Sequence, residues 1–114
     1  MYRIFMNVNP SKWVKVKVLD VFKLYGMEFF AHHPYYKANV RYSQDKDSVV
    51  VSEKDSGSRI TRPGVFFETA DEASKDAKRL MKKYGKEKIL EYHKKIVKFV
   101  EDKRKKEDKN EATN

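Results

Sequence analysis

Apolar residues along this chain keep one rhythm before Thr69 and another after it. In the first part they alternate with polar ones or run in short blocks, as strands do. "YRIFMNV" makes an opening strand. After the Asn9-Pro10-Ser11 break, "KWVKVKV" puts Val14, Val16 and Val18 on one face and Trp13, Lys15 and Lys17 on the other. Alternation fails at "LDVFKLYGMEFF": either a bulge shifts the phase, or residues 19–25 form a short helical turn ended by Gly26. The favoured reading is a strand that turns near Tyr25-Gly26 into "MEFFAHH". Further strands, "ANVRYS", "SVVVSEK" and "SRITR", are separated by "QDKD" and "DSG", both rich in turn formers. Gly57 suits the positive φ of a hairpin turn. "RPG" makes a last corner before "VFFE".

At Thr69 the period lengthens. Thr69-Ala70-Asp71-Glu72 has the spacing of a capping box, in which the hydroxyl takes an orphan N–H and Glu72 reaches back. Ala73, Ala77, Leu80, Met81 and Tyr84 then form one helical stripe, and Gly85 stands where a helix ends in the left-handed region. A second helix from about Lys86 carries Ile89, His93, Ile96, Val97 and Val100 on one side. These patterns predict an α+β fold: an antiparallel meander of about five strands, followed by two C-terminal helices, the first laid on one sheet face. Residues 1–100 read as a single domain. The tail "EDKRKKEDKNEATN" has five basic and five acidic residues and reads as frayed, disordered chain.

Composition narrows the class. The 114 residues suit one core, built largely from 7 Phe, 7 Tyr and 1 Trp. With no cysteine, disulfides and thiolate metal sites are excluded and a reducing, cytoplasmic setting is expected. No stretch has the length and apolarity of a membrane span. The net charge of +9 points first to nucleic acid and then to an acidic protein surface. Its location is informative: Ser74 to Lys98 holds ten basic and three acidic residues.

Lys75, Lys78, Arg79, Lys82, Lys83 and Lys86 follow one another about a helical turn apart, opposite the apolar stripe. Cations so spaced can reach successive phosphates of DNA or RNA. The same lysines could simply be a wet helix face, but between Lys75 and Lys86 the only acid is Asp76. Arg59, Arg62 and Arg41 supply further positive charge on the strands.

"FFAHHPYYK" gathers aromatics and histidines around Pro34. One of the phenylalanines is expected in the core; Tyr35 and Tyr36 are candidate protein-interface residues. Adjacent His32 and His33 on a strand face opposite ways and make no bidentate metal site. His93 reads as a packed, hydrogen-bonded residue of the second helix. Asp45, Asp47, Glu53 and Asp55 read as turn formers. No metal site and no cofactor are expected, and with no phosphate loop, nucleophile elbow or H-E-x-x-H, no catalysis either.

The segment "RPGVFFETADEASKDAKRL" resembles the strand-to-helix junction of the arm-type DNA-binding domains of tyrosine integrases. There an aromatic precedes a Thr-x-x-Glu-Ala helix start after a three-stranded sheet. Phe67, Thr69, Glu72 and Ala73 stand in those places here. Short phage and other mobile-element accessory proteins look similar. The resemblance implies DNA read by the sheet, through Arg41, Lys54, Arg59 and Arg62, with the helix behind it. The charge pattern points instead to the helix face. The expectation on either version is a small, non-catalytic nucleic-acid-binding accessory protein of the kind phages encode; the alternative is a phage-type inhibitor or adaptor that binds an acidic host or defence protein.

Overall fold

The computed structural model describes residues 2–8, 11–38, 41–60 and 65–113, with backbone alone at 37–38, 41–42 and 108–113. Among these, seven strands precede two helices: β1 (Arg3–Met6), β2 (Lys12–Lys15), β3 (Asp20–Leu24), β4 (Met27–His32), β5 (Tyr35–Ala38), β6 (Arg41–Gln44), β7 (Val50–Glu53), α1 (Ala70–Tyr84) and α2 (Lys86–Thr113). The α+β class is as the periodicity predicts, but the strands form three small antiparallel sheets in place of one meander. These are β1-β2, β3-β4-β7 and β5-β6.

The β3–β4 hairpin turns at Tyr25 (φ 55°) and Gly26 (φ 79°), the two positive dihedrals of a tight two-residue turn. Alternation through "LDVFKLYG" is thus broken by a strand start, with no helical turn. The "QDKD" turn does not pair its flanking segments. β6 returns on β5, and Asp45 N–H closes that hairpin on Pro34 C=O at 2.9 Å. β7 instead lies beside β4, with Ala31 opposite Val51. Within the described residues "SRITR" forms no full strand: it contributes a bridge of Arg59 to Ser52, the Ile60 N–H bond to Val51 C=O and a Ser58 C=O that accepts Glu53 N–H.

The β3-β4-β7 sheet is the middle layer of three. On one face Phe22, Phe29, Ala31, Val49 and Val51 meet Ala73, Ala77 and Met81 of α1. On the other, Phe30 packs with Ile4 and Met6 of the β1-β2 hairpin, rimmed by Val14, Val16 and Val18. Both phenylalanines of "FF" are therefore core, one per face, and each full burial contributes about 2–3 kcal/mol. Thr69 caps α1 as its spacing predicts, its Oγ1 accepting from Glu72 N–H at 3.2 Å. Gly85 closes α1 at φ 88° and ψ 156°, a positive φ but outside the left-handed helical well, and α2 starts at the next residue.

The charged tail is a correction. α2 continues through it to Thr113, and its stretch up to Glu107 is docked on the N-terminal hairpin. Val100 is buried, and the Glu107 carboxylate accepts from the backbone N–H and the hydroxyl of buried Ser11. Arg104 donates to Ser11 C=O at 3.1 Å, and Lys103 bonds Asn7. The hydrogen bonds from Ser11, then Lys103 and Arg104, hold the Glu107 carboxyl below the usual carboxylate range. A balanced charge composition reads as disorder only when its partners are out of view, and these lie 96 residues away.

Candidate functional site

α1 does carry its basic residues opposite the buried stripe, but the two ends of that face differ. At the start, Lys75 pairs with Asp71 at 2.9 Å and Arg79 with Asp76 at 2.5 Å. Lys78 lays its ammonium over the Phe22 ring, 4.9 Å from the centroid. These three answer to the fold's own groups. Lys82 and Lys83 in the last turn of α1, and Lys86 and Lys88 in the first turn of α2, are exposed and make no ion pair among the described residues. Local physics favours the first pair only. Cations suit a helix C-terminus but not an N-terminus, and Lys86 and Lys88 sit at the positive end of α2 with Glu87 as sole acidic neighbour in that turn.

Beside this corner a groove of about 640 Å³ separates the helices from the sheet edge. Its walls are apolar: Met27 and Phe29 at the base, Leu80 and Tyr84 from α1, Ile89, Tyr92 and Ile96 from α2. Tyr84 belongs to the predicted buried stripe yet is 54% exposed, and Tyr92 is 63% exposed. Lys88 and Arg59 stand at its margins. The Arg59 guanidinium lies over the Phe66 ring at 4.8 Å and donates to Val65 C=O at 2.9 Å, so it is held to the chain near the groove.

The polar end of the groove is built by a turn. Glu53 ends β7 with its side chain buried, and its carboxylate accepts Asp55 N–H at 2.6 Å and Ser56 N–H at 2.9 Å. Gly57 N–H returns to Glu53 C=O, while Gly57 C=O takes Phe5 N–H at 2.8 Å. A Cβ at Gly57 would collide with the Trp13 ring and with Phe5 N, and φ there is +63°. The turn thus joins hairpin to sheet. From the other side α2 brings His93, whose Nε2 is 2.9 Å from Glu53 Oε1 and 3.8 Å from Asp55 Oδ2. Despite the distance, that buried nitrogen makes no hydrogen bond, because the oxygen lies off its bonding direction. The hydrogen-bonded histidine expected at this position is instead a close neighbour of two carboxylates.

The remaining predicted residues scatter. Tyr35 is half-buried against the Phe30 cluster while the adjacent Tyr36 is exposed, so the two make no common patch. Arg62 and the Arg41 side chain lie outside the described residues. His32 and His33 do face apart. His32 is buried; His33 C=O can only accept, so Nδ1 donates to it at 2.8 Å and Nε2 accepts from Ser52 Oγ at 2.7 Å. Burial drives its pKa down to about 4. Lys88 and Tyr92 lie outside the basic face and the stripe read from the sequence, and Tyr84 lies on that stripe but is exposed. Lys88 and Tyr84 fall within "KKYGKEK", where a glycine makes two helix ends share one corner. No helix among the described residues is long and apolar enough to cross a membrane. Family models, curated proteins and solved structures offer no match to this chain.

Proposed function

We propose that this chain is a small, non-catalytic nucleic-acid-binding accessory protein, of the kind phages and other mobile elements encode, that holds phosphates at the α1–α2 corner. The observation that carries this is four exposed lysines within seven residues, Lys82, Lys83, Lys86 and Lys88, without a partner carboxylate among the described residues. Two of them occupy a helix start where they weaken the helix, typically by a few tenths of a kcal/mol each. A polyanion at the corner offsets that cost by releasing its counterions. The middle sheet is covered on both faces by α1 and the hairpin, which favours the helix corner over the sheet as the contact surface.

Four phosphate contacts give a slope of about −3 to −4 in log K against log salt. The test is titration of single and double strands of DNA and RNA at several salt concentrations. Replacing Lys82, Lys83 and Lys86 with Gln lowers affinity about tenfold or more and flattens the slope. Replacing Lys75 and Arg79, already paired, changes it by less than about threefold. Absence of binding at about 50 mM salt, or an affinity flat in salt, rules the reading out. A second reading, an adaptor or inhibitor of a host or defence protein, draws on Tyr84, Tyr92 and Phe99, all about half exposed or more. A protein partner retained after nuclease treatment, and lost when Tyr92 becomes Ala, would favour it.

A further inference from the structure

We propose that Glu53, Asp55 and His93 form a binding site for a divalent transition ion, zinc in the first instance. One potential ligand atom from each lies within 4.8 Å of the others. The set is chemically apt: one imidazole and two carboxylates are donors that zinc accepts, and three protein ligands leave a position for water.

The geometry around His93 suits a metal ligand. In an ion pair the ring N–H points at the carboxylate oxygen. Here Glu53 Oε1 is at hydrogen-bonding distance but off that direction, and Nε2 is left buried with no hydrogen bond. Two atoms that share an ion at about 2.0–2.2 Å each stand roughly 3 Å apart, and neither points at the other, because both point at the metal. The Nε2 to Oε1 separation of 2.9 Å, with no hydrogen bond made, fits two atoms that share an ion. Asp55 Oδ2, at 3.8 Å, is carried by an exposed side chain that can rotate the remaining distance.

The surroundings prepare the site as metal sites are prepared. The Glu53 carboxylate is oriented by Asp55 N–H and Ser56 N–H before any ion arrives, the role outer hydrogen bonds play for metal ligands. Its backbone is locked by Gly57 N–H and by its own N–H to Ser58 C=O at 3.0 Å. An ion here would tie α2 to the β7 turn. Arg59 and Lys88 line the same groove and weaken cation affinity, so binding is moderate and an anionic ligand in the open position would strengthen it.

The experiment titrates the full chain with Co²⁺, followed by its visible absorption, and with Zn²⁺ by displacement and by thermal melting. One equivalent of Co²⁺ saturates a tetrahedral-type band, Zn²⁺ displaces it, and Zn²⁺ raises the melting temperature. His93→Gln abolishes the band. Asp55→Asn weakens binding at least about tenfold. It keeps the fold, because Asp55 is exposed and bonds Glu53 through its backbone. His33→Gln leaves binding unchanged, which separates this site from the other histidines. Absence of one-equivalent binding, or binding indifferent to both Asp55→Asn and His93→Gln, overturns the proposal and leaves His93 as a packing neighbour of Glu53 alone.

Discussion

The two faces of the β3-β4-β7 sheet are finished in opposite ways. On the hairpin side, His32 and Ser52 are buried and bonded to each other, and Phe30 seals them under Ile4 and Met6. On the helix side, the sheet edge opens into a groove where buried Glu53 meets an unbonded His93 nitrogen below exposed tyrosines and lysines. Both faces contain a histidine within reach of an oxygen, so residue type does not separate them. Satisfaction does. Where folding is the only demand, buried polar atoms find partners. The unmade bond beside two carboxylates, and the lysines at the start of α2, are the features on which the two proposals rest.

The largest test of the sealed side is Gly57→Ala. It combines a collision with the Trp13 ring and Phe5 backbone and a residue forced to positive φ. The expected loss is about 4 kcal/mol in urea unfolding, summing overpacking and strain. A loss below about 1 kcal/mol would mean the hairpin is not clamped to the turn.

Next comes pH. The folded-state pKa of His32, about 4, lies below the ordinary 6.5, so between those values the unfolded chain binds a proton that the fold refuses. Its contribution is whole above pH 6.5 and drains as pH falls towards 4, by roughly 3 kcal/mol. Unfolding curves from pH 7 to 4.5 measure it, and His32→Gln, which cannot titrate, removes that part of the slope. An unchanged slope in the variant would assign the acid sensitivity elsewhere.

The smallest effect concerns the far end of α2. Glu107→Gln weakens the docking on Ser11 and raises amide exchange over residues 101–107, with little change near Gly85. Since the Glu107 carboxyl titrates below the usual range, the wild-type clamp holds above the ordinary carboxylate pKa and is lost as pH falls through its folded value. Equal exchange in both proteins would show that helix propensity alone extends α2.

Much of this was readable from local spacing. The Thr69 cap, the Ala73–Ala77–Met81 stripe, the Tyr25-Gly26 turn and the face shared by Val14, Val16 and Val18 all depend on residues a few positions apart. The basic helix face was readable too, but its paired and unpaired ends were not. That division came from Asp71 and Asp76 answering Lys75 and Arg79, which rotamers in the folded chain decide. Glu53 and Asp55 looked like turn formers, and Glu53 does form its turn. Nothing in "SEKDSG" says that a helical histidine will arrive above it.

The sequence alone determined that strands precede two helices, where α1 starts, where the β3–β4 hairpin turns, and that one helix face is positively charged. Period, capping and dihedral preference act within a turn or two, so they are written locally. Tertiary structure decided that β7 joins β4, that Ser11 holds Glu107, and that Glu53, Asp55 and His93 meet at one groove. Those pairings are chosen by burial and shape across the whole core, where many partners are chemically acceptable and only packing selects among them.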